Sequence, residues 1–361
     1  MQTSQESPSP PVVSRSAQCR QLARVLFQFL LASAKISKWR KVKNGIKLII
    51  GRGVFDETGL FWLKCVLHFT GIRSIRVTCT GHWSEGAGSQ ALWKMDAINF
   101  ARFYGLEYVH TPFRSSRHTQ RPMEEWAAAW EALFNLGAGE SPCNDERRDV
   151  VDFFYNYAGL RQCFGWRRRF NELADHFRAM IPEIRRKYYL NKSPAKSDQL
   201  TVAVHIRRGD VTADEPGPYS LFTCNHAILQ TITTVQSVLD ARNVPYKMQV
   251  HSQGNTAEFA DFSRLGAELF LNVDAVWTME ELIKSDILIM AKGGFSYCAG
   301  LISSGIKIFE PGFLDPGSCP SWKWRVVAPE ENWIACKSDG SFDPNILEHQ
   351  LGLPIQACLT A

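Results

Sequence analysis

Hydrophobic and polar positions along the chain follow two rhythms. Short apolar runs of strand length recur, and each leads into a stretch with apolar residues at helical spacing. The first half holds the apolar run Ile46-Lys-Leu-Ile-Ile50, a helix around Phe61–Phe69 and an alternating strand over Ser74–Thr80. The glycine-rich turn Gly81–Gln90 follows, then a helix over Ala91–Tyr104 that stops at Gly105, then a strand over Leu106–Thr111. Strand, glycine turn, helix and strand make a βαβ unit. Met123–Leu136 and Arg147–Tyr189 read as helical, the latter in two or three pieces, and Leu190–Gln199 reads as a linker.

The second half repeats the alternation. Strands are expected at Thr201–Ile206, Tyr246–His251, Glu268–Leu271, Asp286–Ala291 and Ile306–Glu310, with helices at Phe222–Arg242, Thr256–Leu265, Thr278–Lys284 and Ser296–Ser304 between them. Strands alternating with short helices predict a parallel doubly wound sheet. The expected fold class is α/β, with two Rossmann-like domains whose parallel sheets face a cleft. The expected divisions are a basic, disordered segment over 1–44, a Rossmann-like and helical domain over 45–190, and a second Rossmann-like domain over 191–361.

Composition narrows the class without naming it. A chain of 361 residues with 45% hydrophobic and 21% charged content has ample core for two domains. The net charge of +5 is mild, and of the basic stretches Lys35–Lys47, Arg114–Arg121 and Arg167–Lys187 the first and last also contain apolar residues. They read as solvated helix faces or linkers, so nucleic acid is not an expected partner. The 10 cysteines include no CxxC pair, which argues against a zinc ribbon or a thioredoxin motif. Cys65, Cys79 and Cys298 sit in apolar contexts and are expected to pack as small hydrophobes. Met1–Ser16 is rich in Ser, Pro and Gln. Val25–Ala34 is apolar for only about ten residues, well short of the ~20 that span a bilayer. An amphipathic helix is expected there, with membrane association only through a weak or upstream N-terminal anchor.

The chemistry concentrates at Thr201-Val-Ala-Val-His-Ile-Arg-Arg-Gly-Asp210. His205, Arg207, Arg208 and Asp210 gather at the carboxyl end of a buried strand, where open α/β sheets bind ligands. Two adjacent guanidiniums call for an anion, and phosphate matches their forked donors. A nucleotide diphosphate is the expected ligand; the alternative is that both arginines pair with carboxylates in a structural network. Gly86 and Gly88 allow close backbone approach, and Ser89 with the following amides sits at a helix start, where anions are stabilised. The loop is no Walker A motif and fits only the looser G-x-G-x-x-A form, so a plain strand-to-helix turn is its alternative.

These residues resemble a known family. His205-Ile-Arg-Arg-Gly-Asp210 is similar to the His-x-Arg-Arg-x-Asp signature of the α1,2-, α1,6- and protein O-fucosyltransferase superfamily. Glu85-Gly-Ala-Gly-Ser-Gln90 resembles that family's first-strand glycine loop, and Ser285–Tyr297 resembles its late strand-plus-serine motif. The resemblance spans roughly Arg76 to Phe313. It implies a GT-B-like fold and an inverting, metal-independent transfer of fucose from GDP-fucose to a glycan or glycoprotein acceptor. It makes 45–190 the acceptor side and 191–361 the GDP-sugar-binding side. By the same resemblance His205 helps seat the donor, while Arg207 and Arg208 hold the diphosphate and stabilise the leaving group. Gly86, Gly88, Ser89, Gly294 and Ser296 add backbone and hydroxyl contacts, and no metal or other cofactor is expected. Fixed cations at a leaving diphosphate favour the transition state, and the chain contains no Asp-x-Asp to hold a metal instead.

Asp210 is read as orienting the arginines, and the resemblance implies that Glu215, at the position ten residues after the histidine where the α1,6 branch has a glutamate implicated in acceptor activation, is the base that takes the acceptor proton. Asp214 and Glu85 compete for that role. Val211 stands where the α1,6 branch has lysine, and Gly293-Gly294 where relatives often have serine. These departures keep two other functions in view: a catalytically inactive nucleotide-sugar or glycan-binding relative, and a transferase for another nucleotide sugar. For a eukaryotic chain the family implies the Golgi or secretory pathway; otherwise the cytoplasm. His82 and His251 read first as hydrogen-bonded structural groups; the alternatives are that His82 faces the sugar and that His251 lines the donor pocket.

Overall fold

The computed structural model describes residues 57–116, 121–143, 149–165, 168–190, 192, 199–211, 213, 221–311 and 332–352. The expected strand at Ile46–Ile50 lies outside them, as do Asp214 and Glu215. In the first half the elements are α1 (Glu57–Thr70), β1 (Arg76–Thr78), α2 (Ala87–Phe103), β2 (Glu107–His110), α3 (Met123–Phe134), β3 (Ser141–Pro142), β4 (Val150–Asp152), α4 (Tyr157–Cys163) and α5 (Phe170–Tyr189). In the second half come β5 (Leu200–Ile206), α6 (Asn225–Ala241), β6 (Tyr246–Ser252), a 3-10 turn (Thr256–Phe259), α7 (Ala260–Arg264) and β7 (Glu268–Leu271). Next are α8 (Ala275–Lys284), β8 (Ile287–Ile289), α9 (Gly294–Ile302), β9 (Ile306–Phe309), β10 (Trp333–Ala335) and α10 (Pro344–Gly352). No helix among the described residues is long and apolar enough to cross a membrane.

The α/β reading holds. One sheet has four short strands in the order β3-β2-β1-β4, and the other has six in the order β10-β9-β8-β5-β6-β7. Every described pairing of the six-stranded sheet is parallel. One face of this sheet carries Val202, Val204, Ile206, Met248, Val250, Ile287 and Ile308 in a buried cluster with Ile228, Ile232, Val235 and Leu239 of α6. The α6 residues recur at helical spacing, which gives that helix one apolar stripe for the sheet. Asn243, in the left-handed conformation at φ 53°, turns the chain just after α6.

Two compact units divide the chain: Met1–Val77 with Asn144–Arg168, and Thr78–Cys143 with Arg169–Ala361. In the first, Lys64 Nζ donates to the Val150 carbonyl at 2.6 Å, and Arg76 forks onto Asp149 at 2.6 and 3.0 Å. The second holds the six-stranded sheet and α2. That helix is buried almost all round, from Ala87 to Ala101, as expected of a helix enclosed by other elements rather than lying on a surface. Its buried Lys94 donates to the carbonyls of Cys79 and Thr111.

Four elements differ from the sequence reading. Val150–Asp152 is a strand and not part of a helical stretch; three residues are too few to display a period, and pairing in the sheet decides them. The helix α2 starts at Ala87 and not Ala91. Glycine at 88 argued locally against a helical turn, yet close packing there demands it. Finally, β10 and α10 follow β9 beyond the expected end of the series.

Candidate active site at the sheet's switch point

β5 is the pivot of the six-stranded sheet. It pairs with β6 on one side and β8 on the other. From it, β6 and β7 step outward one way and β8, β9 and β10 the other. Where strand order reverses in this manner, the loops leaving neighbouring carboxyl ends diverge and open a crevice. The residues after β5 and after β8 flank that point.

Arg207 leaves β5 and lies against the turn after β8. Its Nη1 is 2.5 Å from where a Cβ at Gly293 would stand. Gly293 also has φ 137°, a conformation that side chains rarely adopt, so glycine is required there twice over. The other edge of the Arg207 guanidinium forks onto Asp210, at 2.8 Å from Nη2 and 3.3 Å from Nε. The pair is partly exposed, with side-chain accessibilities of 27% and 49%.

α9 begins beside it. The first intrahelical bond runs from the Tyr297 N–H to the Gly293 carbonyl, leaving the amides of Gly294, Phe295 and Ser296 as the unpaired first turn. Ser296 is fully buried. Its Oγ accepts the Ala291 N–H at 3.1 Å and meets His205 Nδ1 at 2.5 Å. A hydroxyl has one proton to give, and His205 Nδ1 is its one acceptor among the described residues. With the hydroxyl donating its hydrogen bond to Nδ1, the neutral imidazole carries its own hydrogen on Nε2. Burial, then the neighbouring His251 and Arg207, push the His205 pKa down to about 3. At neutral pH it is an uncharged donor.

The first glycine loop reaches the same place. A Cβ at Gly88 would stand 2.7 Å from the Phe295 Cα, and one at Gly294 would stand 3.4 Å from the Ser89 backbone. The starts of α2 and α9 thus touch backbone to backbone. Glu85 sits just ahead of α2, its Oε2 accepting the Ser89 hydroxyl at 2.7 Å. Buried Gln90 holds the loop by donating to the carbonyls of His82, Glu85 and Ser115 at 2.8 to 3.2 Å.

With this arrangement in view, comparison with known proteins gives fold-level likeness only. No family model matches the chain, and no curated protein matches it. The chain is similar to POFUT1 solved with GDP-fucose (TM-score 0.34, 12% identity, 64% of this chain and 94% of that one) and to apo POFUT1 (0.33, 11%, 63% and 94%). It is also similar to a point variant of the wall teichoic acid polymerase TagF (0.20, 10%, 76% and 79%).

The geometry gathers His205, Arg207, Asp210, Gly293, Gly294, Ser296, Ser89 and Glu85 around one junction. Gly88 belongs to it through packing on α9, whereas Gly86, the N-cap residue of α2, has open space where its Cβ would be. Arg208 does not join them. It turns to the other side of β5, donating to the carbonyls of Arg207 and Thr223 and to Asn225 Oδ1, with its guanidinium 4.3 Å above the Phe222 ring. His251 pairs in register with His205 on the next strand but is fully buried, stacked on Phe270 at 5.2 Å. Neither of its ring nitrogens has a hydrogen-bond partner among the described residues, and burial pushes its pKa down to about 4. His82 is held by Ser84, its Nδ1 2.6 Å from the hydroxyl.

Sequence reasoning missed one charged pair on the same edge. Lys292 after β8 meets Glu310 after β9 at 2.8 Å, and both side chains are mostly buried. The rule that singled out Arg207, charge at the carboxyl end of a strand, would also have found these two.

Proposed function

We propose that the protein is an inverting, metal-independent glycosyltransferase that moves fucose from GDP-fucose to a glycan or glycoprotein acceptor. The observation that carries this reading is the seating of Arg207 on Gly293, directly ahead of the free amides of α9. One guanidinium fork and a helix start converge on a single point, which suits a diphosphate. The neutral His205 adds an N–H without adding charge.

In this reading the donor lies on the 191–361 half. Breaking the sugar–phosphate bond leaves negative charge on the outer phosphate, and Arg207 with the α9 amides offsets that charge as it grows. Asp210 holds the guanidinium in plane. The acceptor hydroxyl gives its proton to a carboxylate, for which Glu215, Asp214 and Glu85 are the candidates. Glu85 has the support of its bond to Ser89, which itself borders Gly294.

The Arg207–Asp210 fork favours a second reading, a relative that binds nucleotide sugars without turnover, because there the arginine already has a carboxylate for a partner. Titration with GDP followed by GDP-fucose hydrolysis and transfer assays separates the two. Binding with release or transfer of fucose supports the enzyme. Binding with no release on any acceptor supports the second reading, and no GDP binding defeats both.

A further inference from the structure

On the far side of β5 from Gly293 lies an open, solvent-facing groove of about 570 Å³, with Gln253 and Glu258 exposed on its rim. Its walls include Arg208, Phe222, Asn225, Gln253 and Glu258. The volume falls within the ~300–1,000 Å³ of small-molecule sites. The diphosphate chemistry proposed above uses none of these groups.

The unused hydrogen-bonding capacity indicates what the groove would take. Arg208 has five N–H donors, and three go to Arg207, Thr223 and Asn225. Its Nε–H and one Nη1–H are left over, and it makes no ion pair among the described residues. Glu258 spends Oε1 on the backbone and side chain of Asn255, and its Oε2 has no partner among the described residues. The Gln253 amide makes no hydrogen bond among the described residues. The walls are fixed in place: Asn225 ties Arg208 to the Glu258 carbonyl at 3.0 Å, and Asn272 clamps Gly254 from both sides of its peptide at 2.8 and 3.1 Å.

The charges along the groove cancel, one guanidinium against one carboxylate, so neither an anion nor a cation is preferred. The Phe222 face is taken by Arg208, which removes it as a stacking surface for a base. What remains is a set of planar donors and acceptors beside an apolar ring edge. That set matches the vicinal hydroxyls of a sugar.

We infer that this groove binds a neutral pyranose ring, its hydroxyls shared between Glu258, Gln253 and Arg208, as an acceptor subsite on the 191–361 half, in addition to the 45–190 side to which the family resemblance assigns the acceptor. The inference rests on the glycosyltransferase reading for the word acceptor, but the sugar site can be tested without turnover. Saturation-transfer NMR with the methyl glycosides of glucose, galactose, mannose and N-acetylglucosamine is run on the full chain, on Glu258→Gln and on Gln253→Ala. GDP is titrated into the same samples. At least one glycoside is expected to bind, and each variant should weaken it by about five- to tenfold, the loss of one hydrogen bond, with GDP affinity unchanged. A protein that binds none of the four, or binds one equally well in both variants, overturns the inference. Lost GDP binding with glycoside binding intact supports the sugar groove and counts against the donor site alone.

Discussion

The Ser296 hydroxyl on α9 lies 2.5 Å from His205 Nδ1 on β5, and with the Ser296 Oγ also accepting the Ala291 N–H the hydroxyl is assigned as donor to that nitrogen. One helix-borne side chain thereby fixes which nitrogen of a strand-borne imidazole carries hydrogen. Long-range ¹⁵N–¹H NMR of the wild-type protein should show the Nε2–H form throughout pH 5–8. In Ser296→Ala the ring should divide between tautomers, and GDP affinity should fall several-fold. A wild-type ring protonated on Nδ1 contradicts the assignment.

Arg207→Ala should weaken GDP at least tenfold, about 1.4 kcal/mol, by isothermal titration. Its exposed pairing with Asp210 contributes only about 0–1 kcal/mol to folding, so the melting temperature should hardly move. Arg207→Lys keeps the charge but not the fork and should recover only part of the binding. Unchanged affinity in the alanine variant would remove the anion from this place.

Gly293 and Gly294 are neighbours with different constraints. Gly293→Ala forces a side chain into φ 137° and onto the Arg207 guanidinium. Chemical denaturation should report a loss of about 1–3 kcal/mol, the usual cost of such backbone strain, together with weaker GDP binding. Gly294→Ala meets only ordinary contact with Ser89 at 3.4 Å, so its loss should be the smaller of the two.

Acid should destabilise the protein through its buried histidines. His205 and His251 have folded pKa values of about 3 and about 4, against about 6.5 when unfolded. Above pH 6.5 both states are neutral and nothing is lost. As pH falls below 6.5 the unfolded chain binds protons that the folded chain refuses, so stability drops until the folded pKa values are reached. His251→Phe should flatten the part of this slope between pH 6.5 and 4 and retain the stacking on Phe270. Denaturant midpoints measured across that range check it; a slope unchanged by the substitution assigns the acid sensitivity elsewhere.

The parts legible in the sequence were those with enough residues to show a rhythm. β5 and β6, seven residues each, are plain in the apolar alternation, and parallel pairing follows from the intervening helices. Three-residue β4 and β10 carry no period and are defined only by their neighbours. The late glycines were read as donors to phosphate, with nothing in the sequence to show that Arg207 lies directly on Gly293. What composition could not reveal is that Arg207 and Arg208, adjacent in sequence, go to opposite sides of their strand, although successive residues leaving a strand tend to point opposite ways. Buried Lys94 and Gln90 left no mark, because their partners are carbonyls from distant loops.

The backbone contact between Gly88 and Phe295 ties the histories of two distant motifs together. Neither turn can gain bulk unless the other retreats, so in any set of homologues changes at position 88 should appear alongside changes at 294 and 295. Grafting one loop from another protein without its counterpart should give a chain that folds poorly before it fails to bind anything.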